Sequence, residues 1–171
     1  MPQNLILTVI GDDKPGLVEA LSQSVTAHQG NWLESRMSHM AGKFAGIVRV
    51  EVPDGEANAL RHELERLAGL GLKVSVEGAG AAAEPVPAVR LELVGSDHPG
   101  IVRDISQILH QRGVNVEELN TACVDAPMSS EALFQAHARL RLPSEVSMDD
   151  LRDDLEQVAQ SLMVEIKLDD D

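Results

Sequence analysis

The chain has one cysteine, no tyrosine, two phenylalanines and one tryptophan among its 171 residues. Cys123 has no partner for an internal disulfide, so a reducing, cytoplasmic setting is expected. With so few aromatic rings, stacking platforms for nucleic-acid bases are nearly missing. No apolar run approaches the roughly 20 residues that cross a bilayer. The start, MPQNLILTVIGDD, lacks a basic leader and a small-residue cleavage site, so no export signal is expected. Positive charge is also scarce: 14 Lys/Arg stand against 28 Asp/Glu, a net of −14. Residues 1–80 carry a net of −3 (seven basic, ten acidic) and residues 81–171 a net of −11 (seven basic, eighteen acidic). That balance opposes phosphate neutralisation, and direct DNA binding is excluded from the reading. The acidity itself reads as a solvated surface that aids solubility, ahead of a docking patch for a basic partner.

A long repeat organises the chain. GDDKPGLV at residues 11–18 returns as GSDHPGIV at residues 95–102. At a shift of 84 positions the matches are Leu7/Leu91, Gly11/Gly95, Asp13/Asp97, Pro15/Pro99, Gly16/Gly100, Val18/Val102, Ser22/Ser106, Gln23/Gln107, Asn31/Asn115 and Glu34/Glu118. Unrelated chains would give roughly two over such a window. So long a period means two copies of a complete small domain, not a solenoid. The boundaries predicted are 1–78 and 88–171, joined by a linker at 79–87 of small residues followed by prolines. Modules of about 80 residues have little stability to spare and often pair, so a homo-oligomer stays open.

Each copy reads as β-α-β-β-α-β. Leu5–Ile10 forms a strand halted by Gly11, and Pro15 suits a first helical position. Val18, Leu21 and Val25 give the following helix an apolar stripe, as do Val102, Ile105 and Leu109 in copy two. Ala41-Gly42-Lys43 suits a hairpin turn, and Val48, Val50 and Val52 alternate with charge. Leu60, Leu64 and Leu67, then Leu151, Leu155 and Val158, mark the second helices. The hairpin loop of copy two, Asp125–Glu131, has gained about six residues. The fold class is therefore α+β: two ferredoxin-like units, each an antiparallel sheet with two helices on one face. On the other face, copy one carries Ile6 and Ile10 where copy two carries Arg90 and Val94, so that surface of copy one should meet something apolar.

The repeated loop carries the chemistry. A strand feeds Asp13-Lys14-Pro15-Gly16-Leu17, and again Asp97-His98-Pro99-Gly100-Ile101, with a helix opening directly after. Unpaired amides and the positive end of the helix dipole suit a carboxylate there. Glycine allows close approach. Asp13 and Asp97 either cap the turn or accept a bond from a ligand ammonium. Asn31 and Asn115, opening the next strand, are polar partners if a second domain closes over the loop; otherwise they satisfy the turn after the helix. These residues carry a second implication. With D-x-P-G at the first strand-to-helix junction, the chain resembles the ACT domain, a module that commonly binds amino acids. In tandem and without a catalytic domain, it resembles the glycine cleavage system transcriptional repressor family. The resemblance implies a ligand site at Asp13, Pro15, Gly16, Leu17 and Asn31, and at Asp97, Pro99, Gly100, Ile101 and Asn115. It further implies a small amino acid as ligand, glycine being the candidate, and a regulatory protein such as a transcription factor as partner. An accessory module that binds a metabolic enzyme is the alternative.

Other chemistry is poorly supported. The six histidines show no zinc spacing, so no metal and no cofactor are expected. Cys123 reads as a semi-buried strand residue without an activating base. Trp32, Met37 and Met40 read as packing residues. His98 beside Asp97 invites a catalytic pairing, but loop neighbours rarely aim at each other and no nucleophile motif is present. No phosphate-loop or dinucleotide spacing occurs at residues 11–16, and the chain reads as no enzyme.

Overall fold

A computed structural model describes all residues, Met1–Asp171. The chain divides into two compact units, Met1–Ala82 and Ala83–Asp171. Unit 1 runs β1 (Gln3–Asp12), α1 (Leu17–Ala27), β2 (Asn31–Met40), β3 (Lys43–Val52), α2 (Ala57–Arg66) and β4 (Leu72–Gly78). Unit 2 repeats this with β5 (Ala88–Ser96), α3 (Ile101–Gln111), β6 (Asn115–Asp125), β7 (Ala132–Arg141), α4 (Met148–Leu162) and β8 (Val164–Asp170). The sheets have the orders β2-β3-β1-β4 and β6-β7-β5-β8, with every neighbouring pair antiparallel. This is the ferredoxin-like α+β arrangement read from the sequence, built twice. No helix is long and apolar enough to cross a membrane.

Alternation builds the sheets. In β1, Leu5, Leu7 and Val9 are buried against the helices, and Val48, Val50 and Val52 match them from β3. The opposite face of unit 1 leaves Ile10 and Ile47 half exposed, with Ile6 half buried beside them. The helices differ from expectation by one residue. Leu17, Leu21 and Val25 are buried in α1, whereas Val18 is 47% exposed. The α3 stripe is likewise Ile101, Ile105 and Leu109, with Val102 outside. A spacing of four keeps all three residues on one face, and the residue after the first lies about 100° around the helix. In α2 and α4 the leucines Leu60, Leu64, Leu151 and Leu155 are fully buried as read, and Val158 packs against the core of unit 2 while partly buried.

The two helices of each unit are clamped at equivalent places by different chemistry. In unit 2, Arg112 after α3 donates to Asp154 of α4 at 2.6 Å. In unit 1, His28 after α1 meets Glu63 of α2 at 2.6 Å and Glu56 at 2.9 Å, with its side chain only 16% exposed. Bonds to both carboxylates require an imidazolium, since a neutral ring has one N–H. Glu56, then Glu63, hold the His28 pKa above its ordinary value. A raised pKa means that this stabilisation is full below about pH 6.5 and is lost as pH rises through the folded value. His28→Arg should copy the permanent clamp of unit 2. Thermal unfolding at about pH 6 and about pH 8.5 should show a fall of a few degrees for unit 1 in wild type, flattened in His28→Arg. An equal fall in both proteins would contradict the clamp.

Candidate ligand-binding loops

Both loops are made by a backbone reversal that only glycine adopts at ease. Gly16 has φ +94° and Gly100 φ +98°, and each is the N-cap of its helix. Their carbonyls accept the first helical bonds, from Ala20 N–H at 3.0 Å and Asp104 N–H at 3.0 Å. Pro15 thus lies ahead of the helix rather than at its first position, because the left-handed glycine must come between. Neither helix has a side-chain cap. By contrast, Ser147 at the start of α4 accepts from Asp150 N–H at 3.1 Å, which shows what a closed helix start looks like in the same chain.

The aspartates of the loops do not close the helix starts. Asp13 N–H donates to Gly42 O and Asp97 N–H to Ala132 O, each at 2.9 Å, tying each loop to the end of its hairpin. The carboxylates face the last turns of β2 and β6. Asp13 Oδ2 lies 3.6 Å from His39 Nδ1, and Asp97 faces Cys123. His39 pairs with Phe44, and Cys123 with Phe134, so the two partners hold one structural position. Cys123 is exposed on the edge of the sheet, not semi-buried as expected from its strand, because β6 has no neighbour on its outer side. Loss of water around its sulfur, then the Asp97 charge, pushes the thiol above its ordinary pKa, which disfavours a nucleophile. Trp32 and Met37 pack on the core as read, but Met40 is exposed at the hairpin end.

The loops differ in what stands over them. Beside the first is a recess of about 250 Å³, walled by Pro15, Leu17, Leu67 and Leu72 and open to the Lys14 ammonium. A Cβ placed on Gly16 would meet nothing within 4 Å, so open space lies in front of this turn. At the second, the His98 ring reaches across to Leu162 O at 2.9 Å and turns back to Pro99 O at 3.1 Å, not to Asp97. Arg103 pairs with Asp104 at 2.9 Å, and its guanidinium would lie 3.1 Å from a Cβ on Gly100. Loop one is open and loop two is tethered.

Asp13, Pro15, Gly16 and Leu17 come together as read, and so do Asp97, Pro99, Gly100 and Ile101. Asn31 and Asn115 do not join them. Asn31 pairs with Glu51, which pairs with Asn4, eight residues from Asp12. Asn115 pairs with Arg141, opposite Ala88, eight residues from Ser96. At about 3.3 Å per residue, each asparagine lies about 26 Å from its own loop. His39 was the side chain missed, since only the strand register places it beside Asp13. No group of three or more His, Cys, Asp or Glu side chains is placed to hold a metal ion.

A model of the ACT domain matches residues 3–77 and again 89–169. The chain belongs to the ACT-domain family. The glycine cleavage system transcriptional repressor of Escherichia coli is 23% identical over 168 residues, covering 95% of this chain and 85% of that protein. An unknown protein from Galdieria sulphuraria superposes with a TM-score of 0.90 at 27% identity, covering 100% of this chain and 99% of the other. A candidate glycine cleavage system transcriptional repressor of known structure gives 0.72 at 18% identity, covering 100% and 98%. The tandem ACT architecture is thus shared end to end with these chains.

The tether on the second ACT loop titrates. Both ring nitrogens of His98 face carbonyl oxygens, and the Leu162 carbonyl, then that of Pro99, hold its pKa above the ordinary value. Both bonds are therefore made below about pH 6.5, and as pH rises through the raised value the ring keeps a single N–H and can donate to only one of the two carbonyls. An NMR titration of the histidine side chains should give His98 a midpoint above about 6.5. A midpoint at or below that value would show that the ring is not held.

Proposed function

We propose that this chain is a non-catalytic, cytoplasmic ACT regulator that senses a small amino acid and acts on transcription through a protein partner. The supporting observation is the pair of uncapped helix starts behind left-handed glycines. They lie in a chain similar over 95% of its length to a named transcriptional repressor. Glycine is the candidate ligand because that repressor's name concerns glycine cleavage. The amino-acid carboxylate meets the free amides after Gly16, with Lys14 adding positive charge, and the ammonium faces Asp13. Contact through protein fits a surface whose net charge of −14 repels nucleic acid.

A helix start contributes about 0.3–1 kcal/mol to an exposed anion and about 2 kcal/mol when partly buried. Micromolar affinity needs about 8 kcal/mol. Burial by an ACT unit of another chain must supply the difference. Since Asn31 and Asn115 lie far from their own loops, they serve this site only when they come from such a second unit. Binding then changes how units pack, which is the signal a partner reads.

Calorimetric titration with glycine, alanine and serine tests the assignment on wild type, on Lys14→Glu, and on Gly16→Val with Gly100→Val. Lys14 is exposed, so Lys14→Glu should fold normally and weaken binding about tenfold, the scale of one lost charge contact. The double valine variant should abolish binding. Binding that is unchanged in both variants would remove the loops from the site.

A further inference from the structure

The sheet face turned away from the helices differs between the two units, so its character is not a demand of the fold. In unit 1 that face has Ile6, Thr8 and Ile10 on β1 beside Ala45 and Ile47 on β3. Ile10 is 48% exposed and Ile47 50% exposed. The equivalent residues of unit 2 are Arg90, Glu92 and Val94 beside Gln135 and His137. Two copies of one fold thus have outer faces of opposite kind, one apolar at its centre and the other charged. Isoleucines that one copy keeps on its surface, and the other replaces by charge, mark a face that something covers. A hollow of about 100 Å³ beside Ile6 and Ile47, edged by Glu34, Arg36 and Arg49, leaves room for a side chain from outside.

Strand register fixes where charges stand around that apolar centre. Ile10 pairs with Lys73 on β4, Thr8 with Ser75, and Ile6 with Glu77. Lys73 and Glu77 therefore lie at equal distances on either side of the Thr8 row, about 13 Å apart at about 3.3 Å per residue. Both are exposed. On the opposite edge Glu34 meets Arg36 at 3.1 Å and Arg49 at 3.7 Å, whereas no carboxylate reaches Lys73 and no cation reaches Glu77. Three cations (Arg36, Arg49 and Lys73) balance three anions (Glu34, Glu51 and Glu77), so this face is neutral in a chain of net −14. Four strands about 4.8 Å apart, three of them ten residues long, present about 600 Å² in projection. Two such faces reach the lower end of the range of about 1,200–2,000 Å² buried in stable interfaces.

We propose that unit 1 packs the outer face of its sheet on the same face of a second copy of this chain, about a twofold axis crossing the strands at the Thr8–Ile47 pair. A twofold contact needs a self-complementary patch, and the register provides one. About this axis the rows on either side of Thr8 exchange. Ile10 then meets the partner's Ile6, and Lys73 meets the partner's Glu77, each contact being made twice. Ile47 meets the partner's Ile47 at the centre. The long Lys73 side chain spans the offset that a crossing of about 30° between stacked sheets introduces. Arg36 meets the partner's Arg36, each neutralised by the Glu34 of its own chain. An axis along the strands would instead set Glu34 against the partner's Glu77, so the register selects the first arrangement. The outer face of unit 2 is a poor cover, since Arg90, Glu92 and His137 would be buried against isoleucines. The contact uses neither helix start and stands apart from the ligand reading.

Sedimentation velocity of the full chain without added amino acid, from about 1 to about 200 μM, tests the face. The mass should rise with concentration to that of a dimer. Ile47→Glu puts a charge on both sides of the axis and should weaken association more than tenfold. Ile47 is half exposed, so this variant should keep the circular dichroism spectrum of the wild type. Lys73→Glu and Glu77→Lys should each weaken association about tenfold, since each change is felt twice. Both changes in one chain should restore association, because the pair is then only reversed. His137→Glu, at the equivalent position of unit 2, should leave the mass unchanged. A chain that stays monomeric at every concentration would overturn the proposal and leave the face to unit 2 or to another protein. So would an oligomer indifferent to Ile47→Glu, or a reversed pair that associates no better than the single variants. Lys14→Glu should leave the mass unchanged, so loss of amino-acid binding and loss of the dimer are read separately.

Discussion

Everything in this molecule that concerns a ligand depends on one backbone constraint, a glycine held at positive φ directly before a helix. A left-handed residue at that point turns the chain from strand to helix without offering a side-chain oxygen to the first amides. The helix therefore starts without a capping side chain on its first amides, although Glu19 and Asp104 in the first turns oppose the positive end of the dipole. That state costs stability, and the same chain avoids it at α4, where Ser147 takes the capping role. The loop aspartates are within a few residues of those amides, yet the strand register turns Asp13 toward His39 and Asp97 toward Cys123. Of the four helices only α4 has a side-chain cap, and α1 and α3 alone start behind a left-handed glycine, which is the physical basis for reading these two turns as sites.

Duplication has kept this constraint while letting its surroundings diverge. Equivalent positions hold Lys14 and His98, His28 and Arg112, His39 and Cys123, and Trp32 and Val116. The consequences run in opposite directions. Unit 1 has a core sealed by Trp32, a titratable clamp at His28 and an open loop under Lys14. Unit 2 has a permanent clamp at Arg112, a loop crossed by His98 and a small apolar cleft between α3 and β6. Unit 1 thus keeps the open loop and unit 2 the tethered one.

Much of this was legible in the sequence, because the informative features were local or repeated. Strand alternation at Val48, Val50 and Val52, the leucine spacing of α2 and the returning D-x-P-G loop each declare themselves within a few residues. The misreadings share a cause, which is dependence on neighbours distant in sequence. Val18 and Leu17 fit an apolar stripe about equally well until the sheet decides which faces inward. Asn31 shares its copy with Asp13, but strand pairing sends it to the opposite end of the sheet. Cys123 sits in an apolar run that resembles a buried strand, yet its strand lies at an edge. His39 carried no local signal, and only its pairing with Phe44 brings it to the loop.

The central claim is that the amides following the two glycines are available to a small carboxylate. Nitrogen-15 NMR of the full chain during a glycine titration addresses those atoms directly. The account predicts the largest saturable shifts at the amides of Leu17, Val18 and Glu19, with weaker changes at Ile101, Val102 and Arg103. Saturable shifts confined to residues away from both helix starts, or no saturable shift with glycine, alanine or serine, would contradict it.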